Sequence, residues 1–268
     1  MARFTTCWQA LAASAALLTL TPNWATAAPI SVDALLRQPN VVSSVNWSGY
    51  SAANAYYSGV SSLLQVPKSA LTDQVGATYA WIGVGGASAA NTPVPGSPPT
   101  SANPNDLIQA GVAVAQVGTT ARYYAWYEML PDVPKQAVMD IGAGDWVQVD
   151  IHEQAYNLWQ ITIVDGTQVF QQTFPYTSSH SSVEWILEAP FVPIPSLSVG
   201  VFAPLNAIAG ANFTRMQAVA NAQTVIPSQL SPKEWVLLGP PGGVSAIPLT
   251  INPDGASFTA TTGVIRSA

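Results

Sequence analysis

Cysteine is almost missing from this chain, with one, Cys7, in 268 residues. A lone thiol in what reads as a removable leader takes disulfides, thiolate metal sites and thiol nucleophiles away from the mature protein. Histidine is nearly as scarce, with only His152 and His180. Serine-type catalysis needs a histidine beside its nucleophile. His152 falls on the polar side of an alternating run, His180 lies in the serine-rich stretch 178–182, and no Gly-x-Ser-x-Gly elbow occurs. The two histidines are also too far apart in sequence to give a ligand spacing, so no metal site is expected. Charge is sparse at 8%, with 8 Lys and Arg against 14 Asp and Glu. That balance argues against a nucleic-acid partner. No apolar run after the first 28 residues is long enough to cross a membrane as a helix. Gly83-Val84-Gly85-Gly86 follows a strand-like run, but no lysine or helix comes after it, so a phosphate-binding loop is not expected.

What is present begins with an export signal. Arg3 precedes an apolar core from Ala10 to Leu20, and Ala25-Thr26-Ala27 has the small-x-small form of a cleavage site. Residues 1–28 are expected to be removed on secretion, residues 29–43 to form a short leader or propeptide, and residues 44–268 to form a single domain. A chain of about 240 residues is long enough to be held together by its core without disulfides. Loss of Arg3 leaves 7 basic and 14 acidic residues, a formal charge of −7. With its carboxyl groups protonated such a chain carries little positive charge, so self-repulsion in acid is weak. An acidic working environment is the corresponding expectation.

Alternation of apolar and polar residues dominates the rest of the chain. It runs through Trp146 to His152, Leu158 to Val164 and Ser196 to Phe202. Turn chemistry at 142–145 and at Asp165-Gly166 separates these runs. Many short strands with almost no amphipathic helix predict an antiparallel β-sandwich or jelly roll, with the first strand near Val45. The irregular stretch 91–104 and the Gly-Pro cluster 239–243 read as a long loop and a turn.

Several residues stand out chemically. Val183-Glu184-Trp185-Ile186-Leu187-Glu188 sets two carboxylates in an apolar strand, where an unpaired charge is costly. Apolar neighbours raise a carboxyl pKa unless hydrogen bonds offset them. In Leu107 to Ala115, Ile108, Ala110, Val112 and Val114 make an apolar face. The other face carries Gln109 among the small residues Gly111, Ala113 and Ala115. Such a face leaves a groove for a substrate backbone with a carboxamide at its edge. Tyr124, Trp126 and Glu128 share a face of the next run, and Trp47 and Trp81 can line the same groove or simply pack. Taken singly, each of these residues also fits a bland place on a surface or in a core.

In order along the chain, these segments resemble the glutamic peptidases, the eqolisin family of secreted acid endopeptidases. The elements are Asn46-Trp47-Ser48-Gly49, Trp81-Ile82-Gly83-Val84-Gly85-Gly86, Gln109-Ala110-Gly111-Val112, Ala125-Trp126-Tyr127-Glu128 and Pro131-Asp132. They continue with Gly144-Asp145-Trp146-Val147, Glu184-Trp185-Ile186-Leu187-Glu188 and Asn212-Phe213-Thr214. The resemblance implies two antiparallel sheets in a concanavalin A-like sandwich, with a substrate cleft on the concave sheet. It also implies a catalytic pair, Gln109 and Glu184, that cuts polypeptide substrates through an activated water, with no metal, cofactor or covalent intermediate. Trp47, Trp81, Gly111, Trp126 and Glu128 are the expected substrate-binding residues. Glu188 is read as support, and a monomer with no membrane or nucleic-acid partner is expected. The chain departs from the fungal pattern where Gly85 and Tyr124 stand in place of acids, and in lacking disulfides. Two other classes stay open: a sandwich glycoside hydrolase using two carboxylates, although no tight Glu-x-Asp-x-Glu cluster occurs, and a non-catalytic module gripping an extended ligand with its tryptophans.

Overall fold

Period-two alternation becomes strands because successive side chains of an extended chain point to opposite faces. The computed structural model describes residues 35–69, 74–86, 106–131, 133–194, 199–239 and 244–264. The export signal, the long loop 91–104 and most of the cluster 239–243 lie outside these residues. In chain order the first strands are β1 (Val41–Ser44), β2 (Trp47–Ala52), β3 (Tyr57–Gln65), β4 (Gln74–Gly85), β5 (Leu107–Gly118) and β6 (Thr120–Leu130). Next come β7 (Val133–Asp140), β8 (Trp146–Ala155), β9 (Leu158–Asp165), β10 (Gln168–Pro175), β11 (Val183–Glu188) and β12 (Phe191–Ile194). The last are β13 (Val199–Phe202), β14 (Ala211–Ala220), β15 (Gln223–Val225), β16 (Lys233–Leu237), β17 (Val244–Pro248) and β18 (Phe258–Val264). The predicted turns hold: Gly142 N–H donates to Asp145 Oδ2 at 2.7 Å ahead of β8, and Gly166 adopts φ 56° between β9 and β10.

One hydrogen-bonded path, β10-β9-β8-β3-β14-β18-β17-β16-β2-β11-β4-β5-β6-β7, carries most strands. It folds over at β17 and β16, which share a single residue pair, Leu237 with Ala246. The two halves then face each other as a β-sandwich. Tyr127 of β6 lies 5.4 Å from Phe170 and 5.0 Å from Phe174 of β10, ring to ring, and Tyr50 of β2 meets Phe258 of β18 at 4.9 Å. Ladders are antiparallel except β1 with β16. Among the described residues strand structure therefore starts at Val41, ahead of the expected Val45, where the β-branched pair Val41-Val42 pairs with β16.

The faces segregate as the alternation predicts. Ile108, Ala110, Val112, Ile82, Val84, Val183, Trp185 and Leu187 enter the core between the layers. Trp81, Tyr79, Ala113, Trp126 and Ile186 form a second cluster on the opposite face of β4, β5, β6 and β11. Fully burying a large aliphatic or Phe side chain contributes about 1.5–3 kcal/mol. A core of this extent is what holds a sandwich that lacks disulfides.

Candidate active site

Antiparallel neighbours bring directly opposed residues to the same face. On the second face this creates three parallel rows. The first runs Ser51, Glu184, Gly83, Gln109, Glu128 across β2, β11, β4, β5 and β6. The second runs Gly49, Ile186, Trp81, Gly111, Trp126, and the third Trp47, Glu188, Tyr79, Ala113, Tyr124. All seven residues singled out in the sequence, Gln109, Glu184, Trp47, Trp81, Gly111, Trp126 and Glu128, thus fall within one small area.

Glu184 and Gln109 stand in the same row with one strand between them, a separation of about 9.5 Å at the backbone. The intervening residue is Gly83. A Cβ there would meet Leu107 Cδ1 at 2.9 Å, Trp81 Cζ3 at 3.0 Å and Ile108 O at 3.2 Å. Glycine is needed here because the Leu107 side chain and the Trp81 ring occupy the place a Cβ would take, so no side chain from β4 stands between the two flanking residues. Glu184 is fully buried and Gln109 is 4% exposed. Gln109 Nε2 donates to Glu128 Oε2 at 2.8 Å. Its carbonyl oxygen, Oε1, is buried and has no hydrogen-bond partner among the described residues. The carboxamide is therefore held by one N–H while its oxygen and second N–H stay available.

Gly111 packs against the β4 backbone, where a Cβ would lie 2.2 Å from Ala80 O and 2.6 Å from Trp81 Cα. Only glycine allows β4 and β5 to approach this closely beside Trp81. The Trp81 indole donates to Glu188 Oε2 at 2.7 Å, and its ring meets Trp47 edge-on at 5.2 Å. Trp47 in turn meets Trp235 of β16 at 5.8 Å. Asn46 Nδ2 donates to Glu188 Oε1 at 3.2 Å. Glu188 therefore sets the orientation of Trp81, which fits its reading as support. The Tyr124 hydroxyl bonds the Tyr79 hydroxyl at 2.6 Å. Beside Gly85 stands Asp106: a Cβ on Gly85 would lie 2.9 Å from Asp106 Oδ2.

Sequence reasoning missed Lys135, Tyr79, Asn46 and Asp106. Lys135 Nζ stands 4.2 Å over the Tyr79 ring and 5.4 Å from that of Trp126. Burial lowers its pKa, while Glu128 and Glu188 act in the other direction. Tyr79 was legible, since it alternates with Trp81 along β4. The roles of the other three depend on contacts between distant segments, and Asn46 entered the sequence reading only as part of the Asn46-Trp47-Ser48-Gly49 element. The histidines stand apart from these rows. His180 is buried, with Nε2 3.0 Å from Glu153 Oε1 and Nδ1 2.9 Å from Ser178 O.

Burial is the largest influence on Glu188 and raises its carboxyl from 4.5 to about 7, reinforced by Glu128 and opposed by Trp81, Lys135 and Asn46. The folded state then binds this proton more tightly than the unfolded chain does. Its stabilising effect is full below about pH 4.5 and is lost as pH rises toward 7. The wild-type Tm is therefore expected to fall more steeply across that interval than the Tm of Glu188→Gln. Calorimetry of both proteins from pH 4 to 8 checks this, and identical slopes would exclude it.

Comparison with known proteins adds three findings. The model of the Peptidase A4 family matches residues 45–233. No curated protein sequence matches the chain at a significant level. Among solved structures, scytalido-glutamic peptidase with a peptide-based transition-state analogue superposes with a TM-score of 0.64 at 18% identity, covering 82% of this chain and 98% of that one. SCP-B, a member of the eqolisin family in complex with the tripeptide Ala-Ile-His, gives 0.62 at 18% identity over 82% and 98%. Aspergilloglutamic peptidase from Aspergillus niger gives 0.53 at 20% identity over 70% and 99%. At these identities the structural likeness bears on the fold alone.

Proposed function

The chain belongs to the peptidase A4 family and is a glutamic-type peptidase, and from that premise we propose that Glu184 and Gln109 carry peptide hydrolysis in a secreted, acid-active endopeptidase. The glycosidase and binding-module readings fall away with the family. Support for the pair comes from one observation: the two residues share a row and flank Gly83, which puts no side chain between them.

In this mechanism a water molecule sits between Glu184 and Gln109. Glu184, as carboxylate, takes a proton from the water while its oxygen attacks the scissile carbonyl carbon. The unpartnered Gln109 Oε1 accepts the water's other hydrogen and aims its lone pair. The second Nε2 hydrogen of Gln109 donates to the oxyanion of the tetrahedral intermediate. Protonated Glu184 then gives its proton to the leaving nitrogen, the C–N bond breaks, and a carboxylic acid and an amine depart. An amide suits the oxyanion role in acid because it does not titrate there.

The tryptophan row and Glu128 are proposed to bind an extended polypeptide beside this centre. Secretion is proposed from the N-terminal signal, an acid optimum from the low basic content, and a monomer as the working state. Digestion of a denatured protein at about pH 3, with and without inhibitors, tests the activity. Cleavage is expected to persist with pepstatin and with EDTA. Inhibition by pepstatin would point to an aspartic peptidase, and loss with EDTA to a metal enzyme.

A further inference from the structure

We propose that Asp106 is a positioning residue that fixes the spacing between Glu184 and Gln109 by tying the start of β5 to the segment leading into β11. The inference rests on the pair proposed above. Those two residues lie on strands that are not neighbours, because β4 runs between them. Backbone ladders align each strand with β4, and Asp106 adds a side-chain link that joins β5 to the approach of β11.

Asp106 immediately precedes β5, three residues before Gln109, and is 1% exposed. Its Oδ2 accepts from Ser179 N–H at 2.7 Å and from the Ser178 hydroxyl at 3.2 Å. Ser178 Oγ in turn accepts from His180 N–H at 3.1 Å, which makes the segment a compact turn. That turn is anchored from the other layer, where Tyr57 N–H donates to His180 O at 3.0 Å. It then passes Ser182, whose carbonyl accepts from Gly85 N–H at 3.0 Å, and reaches Glu184 two residues later. Asp106, Ser178, Ser179, Ser182 and Gly85 thus close a ring around the adjoining ends of β5, β11 and β4.

Gly85 completes the ring by having no side chain. Its φ is +90°, and a Cβ would lie 2.7 Å from Asp106 O as well as 2.9 Å from Oδ2. One side-chain oxygen that accepts both a backbone N–H and a hydroxyl ties the two segments together by two hydrogen bonds. Misplacing a catalytic group by about 1 Å costs on the order of 10²-fold in rate. A link that sets the spacing of base and carboxamide therefore acts on turnover more than on binding.

The test compares kcat, KM and Tm of Asp106→Ala, Asp106→Asn and Ser178→Ala with wild type on a denatured protein substrate. Asp106→Ala is expected to lower kcat at least about tenfold with KM within about twofold. Asp106→Asn is expected to keep kcat within about threefold, because its amide oxygen can accept both bonds while the NH₂ turns to the unpartnered side. Ser178→Ala, which removes one bond of the two, is expected to fall between them. A folded Asp106→Ala with wild-type kcat overturns the inference, as does Asp106→Asn losing as much as the alanine variant. If Asp106→Ala does not fold, Ser178→Ala decides: reduced kcat at unchanged KM supports the link, and wild-type kcat overturns it. Glu184→Gln assayed in parallel separates the two readings. An active Glu184→Gln removes the catalytic pair itself, whereas an inactive one beside a fully active Asp106→Ala removes only the role of Asp106.

Discussion

Glu184→Gln is expected to lower kcat by about 10³-fold or more while leaving the fold intact, since this one group is asked to act as both base and acid. Gln has nearly the same shape but cannot accept the proton of the attacking water at any working pH. It also has no proton to deliver as an acid without losing its own amide character. Glu184 is fully buried in a strand flanked by β2 and β4, so the nearly equal shape of Gln is what keeps the substitution mild for the fold. Tm measured in parallel separates loss of the base from loss of the fold. The measurement is kcat on a denatured protein in acid, together with circular dichroism and Tm. A folded variant that keeps most of its proteolysis would reject Glu184 as the base. Glu188→Gln is the internal control, because Glu188 lies two rows away and is engaged by Trp81 and Asn46. Its effect is expected in the dependence of stability on pH, with hydrolysis reduced far less than in Glu184→Gln.

Gln109→Ala is expected to cost about 10²–10³-fold in kcat, or about 3–4 kcal/mol, as loss of an oxyanion donor does elsewhere. Alanine removes the donor to the developing oxyanion and also the acceptor that aims the water. It leaves Glu128 without the 2.8 Å bond it accepts from Nε2. The small faces of Gly111 and Ala113 on β5 leave nothing nearby to take over. Glu128→Gln tests the same arrangement from the other side. An amide there can still accept the Nε2 hydrogen, so kcat is expected to fall much less than in Gln109→Ala. Single-turnover kinetics at saturating substrate separate the chemical step from binding. Gln109→Ala with raised KM and unchanged kcat would make Gln109 a binding residue only.

Much of the site was legible before any fold was known, because of the pleat. Within one strand the period of two is a property of the extended backbone. That is enough to separate Gln109, Gly111 and Ala113 from Ile108, Ala110 and Val112, and to group Tyr124, Trp126 and Glu128. It likewise puts Glu184 and Glu188 on one side of β11, with Trp185 and Leu187 on the other. The all-β class followed from the same alternation and the turn residues between runs. Family resemblance then chose between readings that composition alone left open.

Register across strands was not legible. Whether Glu184 would stand opposite Gly83, and Gly83 opposite Gln109, depends on which strands become neighbours, and β11 enters between β2 and β4 from far along the chain. The same is true of Asn46 reaching Glu188, of Lys135 over Tyr79, and of Asp106 at Ser178 and Ser179. That Asp106, just ahead of β5, would lie beside Gly85 was likewise decided by the fold. By itself the sequence determined which face each residue takes, because alternation is written into the local backbone. Only the tertiary structure decided which faces meet and in what register. Those are set by long-range packing of the core, whose contacts join residues that no local pattern connects.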